Sequence, residues 1–167
     1  MQFGRRIPNL LHDEHVATMS ALEKLEGLLG RYRLKQPPEA ADPDVAAVLG
    51  QVASALSAEM TTHFNFEEEV LFPVLTSRGE GDIGELLAEE HAAILPLGER
   101  VSALATEGRR DGFAPDAWAE FHRLSAELIE RLVSHVQKEE LSLLALLDDV
   151  LEDEDDARLT EEFLMRR

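Results

Sequence analysis

The sequence predicts an all-α protein: an up-down-up-down four-helix bundle followed by a short fifth helix. Three observations carry this. Apolar residues recur at intervals of three and four over long stretches, the spacing that collects them on one helix face. Proline and glycine gather in a few places and leave long segments between them. No segment shows the sustained apolar–polar alternation of a half-buried strand. At 167 residues the chain reads as one domain, residues 1–167, long enough to bury a sizeable core. The bundle core is expected at about 8–147, with an acidic extension over 148–167.

The helices are expected near 8–33, 43–77, 83–107, 115–147 and 157–165. The first aligns Leu11, His15, Thr18, Leu22, Leu25 and Leu29 on one face. A loop rich in proline, residues 36–43, ends it, and Asp42-Pro43 matches an N-cap followed by proline in the first turn. The second helix aligns Leu56, Met60, His63, Glu67, Val70 and Val74. Residues 78–82, with Gly79 and Gly81, make the next loop. The third helix aligns Leu87, His91, Ile94, Gly98 and Val101. Residues 108–115 form the last long loop, and the fourth helix aligns Leu128, Leu132, His135, Glu139, Ser142 and Leu146. Pro73 and Pro96 fall inside two of these segments and are expected to kink or shorten them.

Composition excludes several classes of function. The chain carries 34 acidic and 16 basic residues, a net charge of -18, and so should repel nucleic acid and anionic membranes. Apolar runs are short, so no membrane span is expected. Arg5 and Arg6 precede no long apolar stretch, unlike a secretory signal. There is no cysteine, which removes disulfides, thiolate metal sites, iron–sulfur clusters and thiol catalysis, and fits a cytoplasmic protein. Neither a Gly-rich phosphate loop nor His-Glu-x-x-His is present. The run from Asp148 to Asp156 reads as a solvated helix junction.

Chemistry concentrates in two similar stretches. His63 and Glu67 lie four apart, as do His135 and Glu139, and the two pairs are separated by 72 residues. That spacing puts imidazole and carboxylate on one face, one turn apart. A further histidine precedes each pair: His15 by 48 residues and His91 by 44. All six occupy seam positions that apolar residues should hold, where an unpaired carboxylate is costly. From His15 to the first loop is ~27 Å of helix and from that loop to His63 ~30 Å, at about 1.5 Å per residue. An antiparallel bundle therefore brings His15, His63, Glu67, His91, His135 and Glu139 to one level. Four imidazoles and two carboxylates suit iron, manganese, zinc, cobalt or nickel better than calcium or magnesium. They are too many for one tetrahedral ion and fit a pair of ions sharing a carboxylate.

These residues, with the Glu-Glu-x-Val-Leu-Phe-Pro context ending at Pro73, resemble the hemerythrin-like family, the HHE cation-binding domain. The resemblance covers about residues 8–147. It implies a four-helix bundle holding two non-heme irons, with His15, His63, His91 and His135 as terminal ligands. It implies bridges from Glu67, Glu139 and an oxo or hydroxo group. Zinc or manganese would fit the same donors. Where the oxygen-carrying members have a further third-helix histidine, this chain has Leu95; where they have an aspartate five after the fourth-helix histidine, it has Glu139 four after. The resemblance thus points to a more open site and to the bacterial members. It implies a protein that binds or senses oxygen, nitric oxide or iron. The alternatives are a di-iron redox enzyme acting on peroxide and a zinc-stabilised structural domain. The absence of Glu-x-x-His disfavours the ferritin-like arrangement.

Other residues carry plainer expectations. Glu68 and Glu140 read as solvated, with a hydrogen bond to a ligand histidine as the alternative. His12 reads as a surface residue at the bundle end, with alternate ligand or gate as the second reading. His122 is rotated off the ligand face and reads as structural or exposed. Phe64, Phe66 and Met60 read as core packing, with an apolar lining that limits solvent access to the metals as an added reading. Trp118 and Tyr32 read as packing residues away from the site.

Overall fold

The computed structural model describes residues 3–39 and 41–167; Met1 and Gln2 of the amino-terminal stretch and Ala40 of the first loop lie outside the described residues. The fold is an all-α helical bundle with an additional C-terminal helix, and no strand occurs among the described residues. We label the helices α1 (Arg6–Arg31), α2 (residues 43–77), α3 (Gly81–Asp111), α4 (residues 115–150) and α5 (Asp153–Arg166).

Local chemistry sets the helix ends. Asp42 caps α2: its carboxylate accepts from the Asp44 amide at 2.9 Å and the Val45 amide at 3.4 Å, with Pro43 in the first turn as expected. The end of α2 is a Schellman turn. The Gly79 amide donates to the Thr76 carbonyl and the Glu80 amide to the Leu75 carbonyl, with Gly79 at φ +84°. Gly112, at φ +77°, closes α3 through its bond to the Gly108 carbonyl. Pro96 does not shorten α3, which continues to Asp111. The proline is exposed, so water can satisfy the backbone group it leaves unpaired.

Two helices contain π-helical turns that the plain three-four spacing does not foresee. In α2 the turn Glu67–Leu71 is π-helical, and the Phe72 amide donates to the Glu67 carbonyl. In α4 the turn Glu139–Leu143 is π-helical, and the Leu144 amide donates to the Glu139 carbonyl. A π turn holds one residue more than an α turn. The buried register therefore moves by one. Val70 and Val74 are only half-buried, and Leu71 and Leu75 take the core positions; Ser142 and Leu146 likewise give way to Leu143 and Leu147. The accommodation also places Pro73 in the first turn of a new α-helical segment, Phe72–Ser77, where a missing amide proton costs little. A third irregular turn, Ala55–Glu59, breaks α2 at Ser57 (φ -111°, ψ -107°).

Contacts divide the chain into two compact units. One comprises residues 3–17, Thr62–Ala92 and Val133–Arg167. Its apolar core includes Ile7, Leu11, Phe66, Leu71, Leu75, Leu87, Leu143, Leu147, Leu159 and Phe163. Burying each such side chain contributes about 1.5–3 kcal/mol before entropy is subtracted. The acidic run spans the junction between α4 and α5 as expected, with Asp149, Glu152, Asp153 and Glu154 exposed, but it also holds neighbouring elements. Asp156 accepts from the backbone amides of Arg6 and Ile7 at 2.9–3.1 Å and so caps α1 from another helix. Asp148 accepts from the Arg5 amide at 2.7 Å, Asp153 pairs with Arg5, and Asp155 pairs with Arg78 and Arg158.

The other unit comprises Thr18–Thr61 and Ala93–Leu132. Trp118 and Phe121 are fully buried, and Trp118 Nε1 donates to the Arg33 carbonyl at 2.9 Å. Tyr32 meets Trp118 edge-on at 6.2 Å. His122 Nε2 lies 3.2 Å from the Leu29 carbonyl. These residues pack and bond as the sequence leads one to expect. No helix among the described residues is long and apolar enough to cross a membrane.

Candidate metal centre

All six predicted residues converge within the first unit. His15 comes from α1, His63 and Glu67 from α2, His91 from α3, and His135 and Glu139 from α4. Every one is buried, with Glu67 at 0 % and Glu139 at 1 % exposure. The Nε2 atoms point at the two glutamates. His15 Nε2 lies 2.9 Å from Glu139 Oε2, and His135 Nε2 lies 2.8 Å from Glu139 Oε1. His63 Nε2 and His91 Nε2 each lie 3.3 Å from Glu67, on its Oε1 and Oε2 respectively. His91 Nε2 and His135 Nε2 face one another at 3.1 Å. Two donor groups emerge: Glu67, His91, His135 and Glu139 in one, and His15, His63 and Glu139 in the other, each with ligand atoms within 4.8 Å of one another. Glu139 belongs to both groups.

Short distances here do not amount to satisfied hydrogen bonds. His15 Nε2 and all four carboxylate oxygens of Glu67 and Glu139 lack an aligned partner. These are five of the seven such atoms among the described residues, so the shortfall is concentrated in one place. Leaving buried polar atoms unsatisfied costs about 1–3 kcal/mol each, and carboxylates more. A cation at the focus of these atoms would satisfy them together.

The outer ring nitrogens are held by four further carboxylates, and each side of the site repeats the other. His15 Nδ1 bonds Glu140 at 2.6 Å, and His91 Nδ1 bonds Glu68 at 2.8 Å. His63 Nδ1 bonds Glu14 at 2.7 Å, and His135 Nδ1 bonds Glu90 at 2.9 Å. A carboxylate on Nδ1 selects the tautomer with its proton outward and turns the Nε2 lone pair inward. Glu68 and Glu140 are therefore partners of the histidines and not simply solvated. Glu14 and Glu90 were not foreseen. The available signal was their place directly before His15 and His91, one helical step from a seam position but not in the seam. His12 is not in either donor group; its Nδ1 meets both oxygens of Glu140 at 2.9–3.0 Å.

The electrostatics follow from this enclosure. Burial alone would lower the pKa of His15, but Glu139 and Glu140 outweigh it and raise the group to about 9. His91 is raised to about 9 against the same opposition, by Glu139 and Glu67. His63 is raised well above the ordinary value: burial opposes, and the charges of Glu67 and Glu14 prevail. Burial would raise Glu139, yet His135, His15 and His91 hold it well below the usual carboxylate range. Without a metal, protons on His15, His63 and His91 offset the buried charge of Glu139.

An aromatic wall closes one side. Phe64 stacks on His91 at 3.8 Å and meets His135 edge-on at 5.4 Å, while Phe72 stacks on His91 at 5.9 Å. Phe64 thus lines the site as expected. Phe66 takes its expected core role, fully buried and edge-on to Phe163 at 5.0 Å.

Comparison with known proteins agrees with this geometry. The family model for the hemerythrin HHE cation-binding domain matches residues 6–147, a span that contains all six clustered residues. No curated protein matches the chain. The buried cluster fits a metal site, and the match covers most of the chain. The chain belongs to the hemerythrin HHE cation-binding domain family.

Proposed function

We propose that this chain is a non-heme di-iron protein that binds or senses a small oxygen or nitrogen ligand, such as dioxygen or nitric oxide, or iron itself. One observation carries the reading: two fully buried glutamates, none of whose oxygens has an aligned partner, sit at the focus of four inward Nε2 atoms. His91, His135, Glu67 and Glu139 would hold one iron, and His15, His63 and Glu139 the other. Glu67 turns Oε1 to His63 and Oε2 to His91, which supports a second bridging role beside Glu139. When bound, the iron pair would supply one-electron redox change and open coordination positions.

The chain's own residues do the rest. Glu14, Glu68, Glu90 and Glu140 orient the imidazoles and raise their basicity. Phe64 and Phe72 stack on His91, which is 2 % exposed, and shield it from water. Nitrogen and carboxylate donors without thiolate favour iron in its higher oxidation state over soft metals.

Metal analysis combined with absorption spectra, in air and after anaerobic reduction, tests the reading. About two irons per chain, as in di-iron bundles, with visible bands that change on adding oxygen or nitric oxide, is the expected result. A single colourless zinc would overturn it. Rapid consumption of peroxide would favour the enzyme reading instead.

A further inference from the structure

The two halves of the site are near-copies, 72 residues apart, and one difference between them is informative. In the second half, Glu90 divides its oxygens: Oε2 takes His135 Nδ1, and Oε1 takes the ammonium of Lys138. Lys138 follows His135 by three residues on α4. The equivalent position on α2, three after His63, is Phe66. Phe66 is buried and cannot supply a cation.

The first half obtains the cation from α5 instead. Glu14 also divides its oxygens: Oε2 takes His63 Nδ1 at 2.7 Å, while Oε1 takes Arg167 Nη2 at 2.8 Å and Nε at 2.9 Å. The helix that brings Arg167 there packs on Phe66, the residue in the position equivalent to Lys138. Phe163 meets Phe66 edge-on at 5.0 Å, and the Arg167 guanidinium lies over the Phe163 ring at 5.2 Å. Arg166 adds a pair with Glu69 at 2.9 Å. At the other end of α5, Asp156 is bonded to the first amides of α1. None of α5 lies within the span matched by the family model.

We propose that Arg167 is a positioning residue of the metal centre, holding Glu14 against His63 as Lys138 holds Glu90 against His135. The proposal rests on the di-iron reading above. Arg167 is half exposed, so its pairing with Glu14 adds little to folding. Its effect is to fix the rotamer of Glu14, and through it the ring of His63, at one iron position only. The C-terminal helix is then a working part of the site and not an appendage.

The test is release of iron from the full chain, loaded anaerobically with ferrous iron, to a coloured chelator. Loss of a carboxylate that orients a ligand histidine typically weakens metal binding about 10–100-fold. Arg167→Gln, one contact further out, should sit near the lower bound and speed release of one iron about ten-fold, leaving the other unchanged. Arg167→Lys should largely restore the slow rate. Glu14→Gln should have the larger effect, and adding Arg167→Gln to it should change nothing further. Unchanged release in Arg167→Gln would overturn the proposal. So would equal acceleration of both irons, or an undiminished Arg167 effect in the Glu14→Gln background. His63→Ala separates the two layers of argument: if iron content survives that change, the ligand assignment itself fails, and the positioning role fails with it.

Discussion

His91 and His122 show how context separates two histidines of one chain. Both lie on long helices, and both have ring nitrogens near other groups. His91 is buried among carboxylates, with both nitrogens directed at them, whereas His122 makes one bond to the Leu29 carbonyl. His91→Ala should therefore cut iron content sharply, while His122→Ala should leave it unchanged and cost about 1 kcal/mol of stability. Metal analysis of the two purified variants checks this; equal iron in both would refute the distinction. At this scale the inner residues were legible because charge in an apolar seam is anomalous. The outer carboxylates were less so. Glu14 and Glu90 occupy ordinary solvent-side positions, and in a chain with 34 acidic residues nothing in their identity marks them. Only the folded neighbours, His63 and His135, give them a role.

At the scale of elements, the helix count and most loops follow from proline, glycine and the apolar period. The π turns do not. Their trace in the sequence is a one-residue slip, visible only once Leu71, Leu75, Leu143 and Leu147 are known to be buried in place of Val70, Val74, Ser142 and Leu146. Both slips begin at a candidate metal-binding glutamate, and the wider turn moves each later seam position on by one residue. The acidic run lies at a helix junction as read, but its capping contact with α1 was not foreseen. Exposure alone does not show which acidic residue of a cluster caps another helix, unless the start of that helix is known to lie against it. Asp156 supplies that contact, and Asp156→Ala should remove a cap worth about 1 kcal/mol. For a domain of this size Tm should fall by about 2–4 °C. Thermal unfolding of the variant measures it, and an unchanged Tm would mean that the α1 amides find water instead.

The whole molecule combines a net charge of -18 with a buried focus of negative charge. The first draws cations from a distance, and the second holds them. Protons compete for the second. In the metal-free protein His15 and His91 titrate near 9 in the folded state, against about 6.5 unfolded. Their raised values contribute stability that is fully present below the unfolded value and is lost as pH rises through about 9. Tm of the metal-free protein should therefore fall from pH 7 to pH 10, a window set by those same values. Metal affinity should climb over the same range, because binding displaces those protons. A metal-free Tm that rises with pH across this window would contradict the assignment of His15 and His91 as imidazolium partners of Glu139.

The most direct test of the central claim is an anaerobic titration of the metal-free protein with ferrous iron, followed by its absorption and by chelator analysis. The account predicts a break at about two irons per chain, the stoichiometry of a carboxylate-bridged pair, and its loss in Glu139→Ala. A break at one iron, or a break at two that survives in Glu139→Ala, would contradict it.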